Sequence, residues 1–136
     1  MSSVTERLTD RWRREVAEQE EAVGAGTLPR NEAYAATAWP TEFVAGVDAA
    51  LAAYERDVAE LGTTPADPAV WAAVERAVLA LNGVDEKLGG HIDTITREEL
   101  CEYIDVVMTA AGVDVDALAA RRGRDGSGLT DEWRDW

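Results

Sequence analysis

The stretch from Asp67 to Gly112, DPAVWAAVERAVLALNGVDEKLGGHIDTITREELCEYIDVVMTAAG, decides the fold. Asp67-Pro68 offers an N-cap residue followed by proline at the first helical position, where its missing N–H costs nothing. Val70, Trp71, Val74, Val78 and Leu81 then recur at helical spacing, and Asn82-Gly83 predicts the end of that helix or a kink in it. After a loop, Thr96-Arg-Glu-Glu99 has the spacing of a capping box, with Ile95 and Leu100 as its hydrophobic staple. The second helix runs to about Ala111 and turns Leu100, Cys101, Ile104, Val107, Met108 and Ala111 inward before Gly112 stops it.

Upstream, Val44, Val47, Leu51, Tyr54, Val58 and Leu61 are spaced 3, 4, 3, 4, 3. That is the seam of a helix over 41–61 packed nearly parallel to a neighbour, with Asp48, Glu55, Asp57 and Glu60 on its opposite face. Ser3 and Glu6 form another capping box, opening a helix to about Val23 with Leu8, Trp12 and Val16 along one side. Arg7, Arg11, Arg13 and Arg14 alternate with acids there and are expected to stay solvated or to make weak i,i+4 pairs. Residues 31–38 add a short helical turn that Trp39-Pro40 ends. Downstream, Val113-Asp114 with Leu118 starts a short helix to Arg122. Residues 123–128 form a glycine-rich link, and Leu129, Trp133 and Trp136 share one face of a docked terminal turn. No window alternates with period two and no internal repeat occurs. The expected fold is all-α, one domain over 1–136: a compact orthogonal or antiparallel bundle of about five helices plus a short C-terminal helical turn.

Composition excludes more than it assigns. The 136 residues carry a formal charge of −14, which repels nucleic acid and anionic membrane surfaces alike. An acidic surface by itself serves solubility. A basic protein partner is the sharper reading. The single Cys101 excludes an internal disulfide and suits a reducing compartment. No leader pattern opens the sequence and no apolar run approaches the roughly 20 residues of a membrane span, so a cytoplasmic protein is expected.

The motifs fail on chemistry. The loop 85–96 has the outline of an EF-hand, with Asp85, Gly90, Ile92 and Asp93 at fitting positions. Lys87, Gly89 and Thr96 stand where calcium ligands belong, and a lysine there is repulsive. A Cys101–His91 pair lacks the electropositive setting a thiolate needs, because Glu98, Glu102 and Asp105 flank the cysteine in sequence. Glu98, Glu102 and Asp105 share a helix face without the Glu-x-x-His motifs of carboxylate metal bundles. A helix-turn-helix over 117–133 would put Asp131, Glu132 and Asp135 against phosphates. No metal site and no cofactor is expected.

The leading expectation is therefore a non-catalytic acidic module that binds a basic protein, as an inhibitor, immunity-type or regulatory protein does. Its contact residues would be Glu55, Asp57 and Glu60, together with Trp133 and Trp136 as aromatic anchors. A second expectation is a small enzyme or ligand-binding protein built on His91 with Asp85, Glu86 and Asp93. A third is an accessory subunit of a larger complex, docked through exposed Trp133 and Trp136.

Overall fold

A computed structural model describes residues 6–90, 92–124 and 128–136. Helix α1 spans Leu8–Gly24. A 3-10 turn at Arg30–Glu32 and the short α2 (Ala35–Ala38) lead to α3 (Thr41–Ala59). Helices α4 (Asp67–Lys87), α5 (Thr94–Ala110) and α6 (Val115–Arg121) follow. Among the described residues there is no strand, and no helix is long and apolar enough to cross a membrane. The chain is an all-helical bundle whose most extensive helix pair is α3–α4, with α1 and α5 packed against α3.

The seam of α3 is the spine of the core. Val44, Val47, Leu51, Tyr54 and Val58 are buried as their spacing requires, and Leu61 packs against the core just past the helix. Phe43, outside that seam, is buried too. It stacks on Trp12 at 5.9 Å, and Trp12 stacks in turn on Trp39 at 5.6 Å. Facing α3, α4 buries Val70, Trp71, Val74, Val78 and Leu81. The two backbones come close at Gly46, where an added Cβ would lie 3.1 Å from both methyls of Val84. The Tyr54 hydroxyl donates to the Ile104 carbonyl at 2.7 Å and ties α3 to α5.

Several expectations about the helices and their caps need correction. Helix α4 does not end at Asn82-Gly83 but continues to Lys87. A helical glycine costs about 1 kcal/mol. Val84 and Leu88 pack against the core beyond it, and burying two such side chains outweighs that cost. The real stop is Gly89-Gly90, both at positive φ, where the Gly90 N–H returns to the Asp85 carbonyl at 2.9 Å. Asp85 thus lies within a helix, which removes even the outline of the EF-hand loop.

The caps shift as well. Ala66 is the N-cap of α4, while Asp67 turns to Arg121 in a two-pronged ion pair at 2.7 and 2.9 Å. Helix α5 starts two residues early because Asp93 caps it, accepting the Thr96 N–H at 2.8 Å; Thr96 is buried and Ile95 is 70% exposed, so no staple forms. The inner face of α5 includes Tyr103 and leaves Ala111 outside, with Cys101 and Val107 half-buried. Ser3 lies outside the described residues, and Glu6 pairs with Arg14 at 2.6 Å. Helix α6 matches its expectation: Asp114 caps it by accepting the Ala117 N–H, and Leu118 is buried.

Candidate functional site

Arg13 and Arg14 are exposed and make the expected local pairs, with Asp10 and Glu18, whereas Arg7 and Arg11 tie the start of the chain to α3 and α5. Arg7 forks onto Glu55 at 2.8 and 2.7 Å and reaches Asp48 at 3.1 Å. Tyr103 donates its hydroxyl to Glu55 at 2.6 Å, and Thr9 donates to Asp48 at 2.5 Å. Arg11 pairs with Glu99 on α5. The Arg7 guanidinium, with help from Tyr103, outweighs burial and holds Glu55 below the usual carboxylate range. At Asp48 burial is opposed by Thr9, Arg7 and Arg13, and the balance again lowers its pKa. Burial and the adjacent Glu55 push the Tyr103 phenol up. Spacing on one helix carries no sign of these partners, which lie 41 and 48 residues away.

Of the expected contact residues on α3, Glu55 is therefore committed within the fold and Asp57 meets Arg76 at 3.0 Å. Glu60 is exposed and has no ion-pair partner among the described residues. The aromatic pair is half-buried. Trp133 packs on Trp71 with ring centroids 6.0 Å apart, and Arg122 lies 4.6 Å over Trp71 and 5.6 Å over Trp133. Asn82 clamps the C-terminal turn, donating to the Trp133 carbonyl at 2.8 Å and accepting the Asp135 N–H at 3.0 Å. Arg134 lies 5.6 Å over Trp136.

The alternative polar set does not converge among the described residues. Asp85 accepts the Ile92 N–H at 3.1 Å, Asp93 is spent on the α5 cap, Glu86 is exposed, and His91 lies outside the described residues. No group of three His, Cys, Asp or Glu side chains able to hold a metal occurs among the described residues. Cys101 has a cationic neighbour that its own helix does not supply: Arg134 donates to its Sγ at 3.3 Å, beside the Thr130 hydroxyl at 3.3 Å.

Helices α5 and α6 form one acidic side of the bundle. Nine arginines are consumed in ion pairs with the chain's own carboxylates, and only Arg56, Arg97, Arg124 and Lys87 are left without one among the described residues. Glu98, Glu102 and Asp116 are exposed and unpaired there. Asp105 is half-buried, and burial, reinforced by Asp116, Asp131 and Glu102, pushes its pKa up to about 6. Of the three arginines at 121, 122 and 124, Arg121 meets Asp67 and Arg122 meets Glu132 at 2.9 Å, and Arg124 has no ion pair among the described residues.

Among the clefts that line α5, two share a side chain. One, of about 480 Å³, lies at its N-terminal end between Tyr34, Trp39, Ile95 and the carboxylates of Asp93 and Glu99. The next, of about 270 Å³, lies between α1 and α5, with Leu8, Tyr103 and Val106 as apolar walls and Glu6, Arg11, Glu99 and Glu102 around them. Glu99 lines both. Compared with protein family models, with curated proteins and with solved structures, the chain matches none.

Proposed function

We propose that this chain is a non-catalytic protein-binding module whose acidic α5–α6 side receives a basic protein partner. One observation carries the reading: internal ion pairing consumes nine of the twelve arginines, while Glu98, Glu102 and Asp116 stay exposed and without an ion pair among the described residues, beside the half-buried Asp105. Asp116 and Asp131 both repel the half-buried Asp105, from α6 and from the terminal turn, so an approaching cation relieves a tension that folding leaves in place. The contact face differs from the one periodicity suggests on α3, because Glu55 and Asp57 already have partners.

The test is retrieval of the partner from a lysate of the source cells on the tagged chain, at low and high salt, followed by intact-mass analysis. The expected result is a stoichiometric basic protein released by salt. Reversal of Glu102 and Asp116 to lysine should then slow its association, while reversal of Asp57 should not. An association rate at low salt that ignores both changes would sink the electrostatic reading.

A further inference from the structure

We propose that the two clefts along α5 form one docking trough for a short segment of that basic partner, in which two apolar side chains flank an arginine or lysine. This rests on the basic-partner reading and adds the place and the pattern. The trough has an apolar residue standing free at each end: Ile95 is 70% exposed and Val106 is 37% exposed. Exposed apolar side chains rimmed by polar ones mark contact surfaces. Tyr34 and Trp39 wall the cleft beside Ile95, and Leu8 and Tyr103 wall the cleft beside Val106.

Between these apolar ends the lining is acidic. Asp93, Glu99, Glu6 and Glu102 face the two clefts against the single guanidinium of Arg11. Glu99 is bound to Arg11, Glu6 to Arg14 and Asp93 to the Thr96 N–H, which leaves Glu102 as the lining carboxylate with no such partner among the described residues. A cationic side chain at the centre of the trough therefore meets a free carboxylate, while an anionic one is repelled. A second copy of this chain, at −14, is a poor occupant for the same reason.

Geometry sets the pattern. Ile95 and Val106 are three helical turns apart, about 16 Å along α5. The four steps from the first residue of an extended segment to its fifth advance about 13–14 Å, and side-chain reach at each end covers the rest. Alternate side chains of such a segment point the same way, so its first and fifth residues lean to the apolar ends, and a long cationic side chain at its third, level with Glu99, extends along α5 to Glu102.

The probe is the capped pentapeptide leucine-lysine-arginine-lysine-leucine, compared with its permutation lysine-leucine-arginine-leucine-lysine, titrated into the isotope-labelled full chain at low salt. Expected are amide shifts that follow α5 and the facing part of α1, and about ten-fold weaker binding of the permuted peptide. Ile95→Asp and Val106→Asp should each weaken the first peptide about ten-fold, and Glu60→Lys should leave it unchanged. Both substituted side chains are exposed, and circular dichroism checks that the variants are folded. Equal binding of the two peptides, or shifts scattered over the surface, overturns the trough and leaves the basic-partner reading intact. No binding of either peptide also overturns it. Loss of salt-sensitive capture in the lysate experiment is instead the failure of the broader reading.

Discussion

Replacing Asp105 with asparagine removes one charge from the place where α5 meets α6 and the C-terminal turn, and changes almost nothing in shape. Burial first, and then Asp116, Asp131 and Glu102, raise this carboxyl from 3.8 to about 6. A group whose folded-state pKa is raised binds its proton more tightly in the fold than in the unfolded chain. Its contribution is fully present below the unfolded value and is lost as pH rises through about 6. At neutral pH the ionised Asp105 consequently works against folding. The full shift corresponds to about 3 kcal/mol, and solvent screening of a half-buried carboxyl reduces the expected gain for Asp105→Asn to about 1–2 kcal/mol. That is a rise in Tm of roughly 3–8 °C for a chain of this size. Urea unfolding followed by circular dichroism at pH 7 and pH 4.5 measures it, and the gain should fall to roughly a third at the lower pH. A gain of equal size at both pH values, or none at pH 7, would show that burial and the neighbouring carboxylates do not raise the Asp105 pKa in the fold.

Arg7→Met leaves Glu55 and Asp48 half-buried without their guanidinium and should cost about 1–3 kcal/mol in urea unfolding at pH 7. Because both carboxylates have lowered pKa values, the wild-type contribution is present above the ordinary carboxylate range and lost as pH falls through the folded values. The difference between variant and wild type should therefore shrink in acid. A double-mutant cycle with Glu55→Gln should show coupling of about 1 kcal/mol or more; additive effects would dissolve the network. Gly46→Val drives a branched side chain into the Val84 methyls, and a loss of about 2 kcal/mol, partly restored by Val84→Ala, is expected from thermal unfolding. Tyr54→Phe should cost about 1 kcal/mol by removing the buried second hydrogen bond to the Ile104 carbonyl, and an unchanged midpoint would mean that bond contributes nothing. Asn82→Ala unclamps both Trp133 and Asp135, so amide exchange across 129–136 should accelerate while that of α3 stays constant.

Signals that act within one or two turns were legible without coordinates. The apolar seam of α3, the stripe of α4 from Val70 to Leu81, the Asp114 cap with Leu118, and the docking of Leu129, Trp133 and Trp136 all follow from spacing and capping chemistry. Each depends only on neighbours three or four residues away, so the all-helical class was determined there. Tertiary structure decided what local signals weigh too lightly or cannot see. Gly83 is a local stop, yet packing of Val84 and Leu88 carries α4 past it. Thr96 and Asp93 are both competent caps, and burial of Thr96 leaves the task to Asp93. Glu55 looked like a free acid on an outer face until α1 brought Arg7 and α5 brought Tyr103 to it. The candidate surface moved for that reason: net charge is a property of composition, but which carboxylates remain unpaired depends on which arginines the fold brings within reach, and those partners are dozens of residues away along the chain.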